Sequence, residues 1–199
     1  MPTGFYYDET PMDVLRETCR FDTVKRLSGG VNFVDNTVPE GALLLPLVPL
    51  NVDLKTRTAT AVKNVKVAET VSSGSTSVKV AKYSLAYVGM LLGNGTTSVK
   101  VTAIDKSNKD YDLLTVEGGE GGSPTLTAEA NDALFEVTNA TDTTPKAVAN
   151  YLNYATTKAV KGATLTVIYR AYEVQESRLY APLTDADKES LGDNFTYIP

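Results

Sequence analysis

Valines recur at every second position in several separate stretches of this chain, and that spacing limits the folds open to it. Val65 and Val67 alternate with polar partners, and Val78 and Val80 place Ser77 and Lys79 on the opposite face. Leu85 and Tyr87 alternate with Ala86 and Val88, and Val99 and Val101 alternate with Ser98, Lys100 and Thr102. A period of two belongs to half-buried strands, not to helices. Valine and threonine dominate these segments, and both suit a pleated surface.

Between two such runs stands Gly93-Asn94-Gly95, a hairpin signal, because Asn-Gly supplies the positive φ angles of a tight turn. Asp105 to Asp110 reads as a polar turn between Ile104 and Leu113-Leu114. The stretch Gly74 to Val80 is echoed 21 residues later by Gly95 to Val101, which reads as two similar strands of one small sheet. Gly118 to Gly122 is a glycine-rich loop, and Leu134 to Val137 a brief strand. Ala163 to Val174 is the clearest strand; both its faces are partly apolar, which suits a central strand or one covered by another subunit.

Helices are few. Thr10-Pro11 resembles an N-cap followed by proline, and Met12, Leu15 and Cys19 share a face, so a short helix is expected over 11–19. A second start at Thr144-Pro145 would place Val148, Tyr151, Leu152 and Ala155 on one face. Near the end, Thr184 caps a helix expected over 185–191, with Asp185 and Asp187 at the positive end of its dipole and Gly192 at the stop. The expected fold is mainly β: small antiparallel β-barrel or sandwich modules with two short helices and an extended N-terminal arm. The segments are an arm over 1–40 with its short helix, a β module over 41–122 and a second β region over 123–182 ending in the long strand. A short helix and tail over 183–199 follow, unless they form one continuous domain with 41–182.

Composition narrows function. The 199 residues contain no histidine, which removes Ser-His-Asp and Cys-His nucleophiles and imidazole metal sites. The one cysteine, Cys19, has no partner for an intrachain disulfide, and tryptophan is absent. The net charge of -5 without a basic run makes nucleic acid a poor partner. The N-terminus shows neither a basic n-region nor an apolar h-region, so folding in a cytoplasm is expected and the sequons at Asn94, Asn139 and Asn194 should go unused. The longest apolar run, Ala42 to Leu50, is too short for a membrane helix, which needs about 20 residues, and Pro46 and Pro49 interrupt it.

Other constellations favour plain readings. Asn108, Asp110 and Asp112 have the spacing of a calcium loop's first ligands, but Leu113 and Gly119 stand where its glycine and glutamate belong, so a turn is expected. Gly93-x-Gly95 resembles a phosphate cradle without its lysine or helix. Glu117, Glu120, Glu129 and Asp132 read as solvated loop acids rather than a glycosidase pair. No catalytic residue, cofactor or metal is expected.

Two segments invite contacts. The run containing Leu43, Leu44, Leu45, Leu47 and Val48 must be buried, either in the chain's own core or between subunits. Phe5, Tyr6 and Tyr7 are more aromatic surface than a frayed terminus needs, and docking onto another chain is expected of them.

The order of segments carries a resemblance. Val38-Pro39-Glu40-Gly41 leads into the apolar run, and a β module closes with the stretch Ile104 to Val116. The long strand, Gln175 to Leu183, the short helix and Phe195 to Ile198 follow. Over roughly 30–199 this resembles the head decoration, auxiliary capsid and head fibre proteins of tailed bacteriophages, most of all those of phages of gut Bacteroides relatives. The resemblance implies a virion structural protein without an active site. It implies a homo-oligomer, a trimer first of all, bound to the major capsid protein or other head proteins on the outer head surface after assembly in the host cytoplasm. No membrane and no direct nucleic acid contact is implied, and the acidic balance suits an outward face. Two other classes are weighed. A host-surface or carbohydrate-binding module would use Tyr83, Tyr87 and Tyr111 as a platform, though their alternation suits core positions; a hydrolase would have only carboxylates to work with.

Overall fold

The computed structural model describes residues 18–119 and 122–199, and strands make up most of its regular structure. In chain order they begin with β1 (Arg20–Arg26), β2 (Val31–Phe33), β3 (Leu43–Leu44), β4 (Pro49–Asp53) and β5 (Thr58–Ala61). Next come β6 (Asn64–Lys66), β7 (Ser77–Ala81), β8 (Leu91–Gly93), β9 (Ser98–Asp105), β10 (Tyr111–Gly118) and β11 (Ala133–Glu136). The chain finishes with β12 (Tyr151–Asn153), β13 (Thr157–Lys158), β14 (Thr164–Leu165), β15 (Val167–Gln175), helix α1 (Asp185–Leu191) and β16 (Phe195–Ile198).

Six strands form one antiparallel sheet in the order β6-β11-β8-β9-β10-β7. Its edges approach each other. Just past β6, Val67 bridges Val80 of β7, and the Ala68 amide donates to the Lys79 carbonyl at 2.9 Å. The alternating valines explain the curl, because Val65, Val78, Val80, Val99 and Val101 all point inward and meet Met90, Leu92, Leu114 and Leu134 in one buried cluster. The two echoed segments supply β7 and β9, and they flank β10 in this sheet. The Gly93-Asn94-Gly95 turn joins β8 and β9 as expected, with Gly93 opposite Ser98.

Eight strands form the other sheet, along the path β1-β15-β12-β4-β5-β2-β14 with β16 beside β15. β14 and β15 are one stretch of chain bent at Thr166, so a path that starts on β15 returns to its own beginning, and this sheet also curls around an interior. Phe33, Leu44, Leu45, Leu50, Leu165 and Val167 fill it. The expected long strand is therefore present and central. Two pairs, β2 with β5 and β15 with β16, run parallel, so the sheet is mixed instead of purely antiparallel. Parallel neighbours need a crossover. Between β15 and β16 the crossover carries α1, whose Leu191 packs with Ile168, Val174 and Phe195.

Helix α1 spans 185–191 as expected. The Thr184 hydroxyl accepts from the Asp187 amide at 3.2 Å while the Asp187 carboxylate accepts from the Thr184 amide at 2.9 Å, a reciprocal capping box. The helix expected over 11–19 lies almost wholly outside the described residues, so α1 is the one α-helix of appreciable length among them. Two expectations fail. Leu85 to Val88 pairs with no strand: it is irregular and turns at Val88, with the Ser84 amide donating to Asp112 Oδ2 and the Ala86 amide to the Ser84 hydroxyl, both at 3.1 Å. No helix starts at Thr144-Pro145: the Ala149 amide donates to Asp187 Oδ1 at 2.7 Å, and Tyr151–Asn153 is drawn into the sheet as β12.

Candidate functional site at the joint between the sheets

The chain passes from the eight-stranded sheet into the six-stranded one through Val62 and Lys63. Lysine would normally keep its ammonium in water, yet the Lys63 side chain is only 7% exposed. Its Nζ lies 2.8 Å from Asp35 Oδ2, just past β2, and 3.5 Å from Glu136 Oε2 at the end of β11. Glu136 also accepts from the Tyr87 hydroxyl at 2.6 Å and from Lys146 at 2.7 Å, both on Oε1. Asp35 Oδ1 accepts from the Thr37 amide at 2.9 Å and the Thr37 hydroxyl at 2.7 Å. Burial of charge is tolerable only with such partners.

These contacts order the protonation of the joint. Burial pushes the Asp35 carboxyl up, but hydrogen bonds from Lys63 and Thr37 outweigh it and leave the group below its ordinary value. Glu136 behaves alike: burial raises it, while Lys146, Tyr87 and the Lys63 charge bring it below the ordinary range. The Tyr87 phenol is pushed up, first by burial and then by its bond to Glu136.

A second polar centre ties the sheets through α1. The fully buried Asp187 accepts through Oδ2 from Asn64 at 2.7 Å and from the Thr184 hydroxyl at 2.7 Å, besides its bonds to the Thr184 and Ala149 amides. Asn64 belongs to β6, so one carboxylate fastens the crossover helix to the neighbouring sheet.

Two clefts open along the same joint, of about 650 and 590 Å³. They share Lys66, Asn131, Ser177 and Leu179. Lys66 donates to the Ser177 carbonyl at 2.8 Å, and burial pulls its ammonium below the usual lysine value. Thr18, where the described residues begin, lines the smaller cleft, and Pro199 lines the larger.

The singled-out residues fall as follows. Leu44, Leu45, Leu47 and Val48 are buried among the chain's own apolar side chains, with Leu43 half-buried beside them. Leu45 to Val48 makes a tight turn in which Leu47 takes φ 62°, a position glycine usually fills, while Asn153 Nδ2 reaches the Leu44 and Leu45 carbonyls at 2.9 and 3.0 Å. Phe5, Tyr6, Tyr7 and Glu120 lie outside the described residues. The three tyrosines are engaged separately: Tyr83 edge-on to Tyr180 at 6.0 Å, Tyr87 through Glu136, and Tyr111 under Lys79.

In the Asn108–Asp112 turn a cation is indeed present, but it is the chain's own. Lys82 Nζ donates to the Lys106 and Asn108 carbonyls at 2.6 and 2.7 Å and pairs with Asp112 at 3.0 Å. In the Gly93–Thr97 turn the Thr96 and Thr97 amides both donate to Asn94 Oδ1 at 2.8 Å, so the donors a phosphate would use are taken. Glu117 pairs with Lys100, Glu129 accepts from Thr70, and Asp132 accepts from the Glu129 amide. Among the described residues no three His, Cys, Asp or Glu side chains gather as a metal site, and no helix is long and apolar enough to cross a membrane.

Sequence reasoning missed the Lys63 network. Its partners are far apart in the chain, and Lys63 reads as an ordinary solvent-facing lysine before a strand. The one available signal is Glu136, an acid inside the apolar strand Leu134 to Val137.

No curated protein and no solved structure matches the chain. A family model described as head fiber protein matches residues 34–199, which include Asp35, Lys63, Glu136, Lys146 and the whole of α1 and β16. With the six-stranded sheet, all of the eight-stranded one except β1 and β2, and the polar joint inside the matched stretch, the chain belongs to the phage head fibre protein family.

Proposed function

We propose that this protein is a non-enzymatic structural component of the virion that self-associates, as a trimer, and binds the outer surface of a phage head. It serves there as a decoration or auxiliary protein or as the base of a head fibre. Its partners are copies of itself and the major capsid protein or other head proteins. Membership of the head fibre family over residues 34–199 is the observation that carries this reading. Two structural features support it. The apolar interiors are filled by the chain's own residues, so association falls to surface features. The cleft bordered by Thr18 lies where the segment bearing Phe5, Tyr6 and Tyr7 joins the described residues, which suits docking of that aromatic segment on a neighbouring copy.

Light scattering of the purified protein at micromolar concentration checks self-association, with a trimer mass expected. Co-sedimentation with assembled heads checks the shell contact. A strict monomer that stays in the supernatant would overturn the proposal, and removal of residues 1–9 is expected to lower the oligomer mass.

A further inference from the structure

Lys63 sets an amine against a carboxyl in a place closed to water. The Lys63, Asp35 and Glu136 side chains are 7%, 5% and 7% exposed. Nζ stands 2.8 Å from Asp35 Oδ2 and 3.5 Å from Glu136 Oε2. We propose that Lys63 and Asp35 condense into an intramolecular isopeptide bond, with Glu136 carrying the protons.

The step balances without an added reactant. Nζ attacks Cγ of Asp35, the N–C bond forms, the C–Oδ2 bond breaks, and Oδ2 leaves as water. The ammonium gives up two protons in all, and both depart on that oxygen. Glu136 takes the first from Nζ, which unmasks the lone pair, and hands it to Oδ2; the second follows as the tetrahedral intermediate collapses. Moving one proton from ammonium to carboxylate erases two buried charges at once, which offsets part of the cost of working against the hydrogen bonds that favour the ionised carboxyls.

The surroundings fit each role. Charge develops on Oδ1 during attack, and Oδ1 already accepts from the Thr37 amide and hydroxyl at 2.9 and 2.7 Å. Tyr87 and Lys146 both hold Glu136 by Oε1, which leaves Oε2 to Lys63. The Ala61 carbonyl, 3.3 Å from Nζ, steadies the amine from behind. A fixed pair of this kind reacts as though each partner were at very high concentration. The product ties the loop after β2 to the link between β5 and β6 across a separation of 28 residues. For a protein on a shell, that is a fastening no unfolding fluctuation opens.

The intact mass of the purified full-length protein tests this. A mass one water below that of the sequence is expected, and digestion should give one branched peptide carrying Lys63 and Asp35. Glu136→Gln, checked for native circular dichroism, should retain the full mass, and Lys63→Arg should do the same. Folded wild-type protein that keeps the full sequence mass after prolonged warm incubation at neutral pH would overturn the proposal. So would a water loss that maps to other residues, or a Glu136→Gln variant that loses water as fast as the wild type.

Discussion

The six-stranded sheet draws all its strands from residues 64–136, and two of its five pairings, β8 with β9 and β9 with β10, join strands consecutive in the chain. The eight-stranded sheet takes strands from both sides of that stretch: β1 pairs with β15 and β4 with β12. Both interiors are apolar, but the second sheet adds side chains that stand in for backbone beside its strands. Asn150, for example, both donates to and accepts from Val52. Where pairing partners are close in sequence, alternation of apolar residues suffices to align them. Where they are distant, buried amides and carboxylates with specific partners fix the register.

The largest effects should come from the two interiors. Leu114 and Leu50 are both fully buried, one in each sheet, and either replacement by alanine should cost about 2–5 kcal/mol. Because Lys63–Glu136 and Asn64–Asp187 cross the joint, calorimetry of both variants should show one shifted transition; two separated transitions would mean the sheets unfold independently.

Next is Asp187→Ala. It strands the Asn64, Thr184 and Ala149 donors, and a loss of about 3 kcal/mol is expected in urea titration. A loss confined to the melting of α1 would show that the carboxylate does not hold the sheets together.

Leu47 separates packing from strain. Its side chain is buried, so Leu47→Ala should cost about 2–4 kcal/mol. Glycine ordinarily costs more than alanine, but at φ 62° it removes about 1 kcal/mol of backbone strain. Leu47→Gly should therefore be no less stable than Leu47→Ala, as judged by the urea midpoint.

Acid should act on the joint before it acts on the interiors. Glu136 in the folded state lies below its ordinary value of 4.5, so its contribution is complete above that value and is lost as pH falls through the lower folded one. Lys146 is one cause of the lowering, and its side chain is 43% exposed, so Lys146→Ala should reduce the acid-dependent loss by less than about 1 kcal/mol. Urea midpoints compared at neutral pH and near pH 4 measure it. The smallest effect belongs to Lys100→Ala at the exposed pair with Glu117, under about 0.5 kcal/mol.

The same contrast explains what could be read from residues alone. β7, β9 and β10, the Asn94 turn and α1 were legible because each carries a local signal: alternation, a turn dipeptide or a cap. β1 was not, because Arg20–Arg26 is charged and largely exposed, and only its pairing with β15 makes it a strand. The helix expected from Thr144-Pro145 lost to Asp187 and to sheet pairing, neither of which lies nearby in the chain. Of the candidate site, only the place of Asp187 at the positive end of α1 was visible; its bond to Asn64 and the meeting of Lys63 with Asp35 and Glu136 depend on long-range closure.

Placing β15 between β1 and β12, with β16 alongside, sets a timetable for synthesis. Arg20 must wait for Tyr172, and at about 5–20 residues per second a ribosome needs about 8–30 s to deliver it. The segment 64–136 has every strand partner of its own sheet long before then and can pair up while β1 is still an open template. A translational pause between Glu136 and Val167 would lengthen the life of that sticky intermediate, so slow codons there should lower the yield of usable protein far more than slow codons after Pro182.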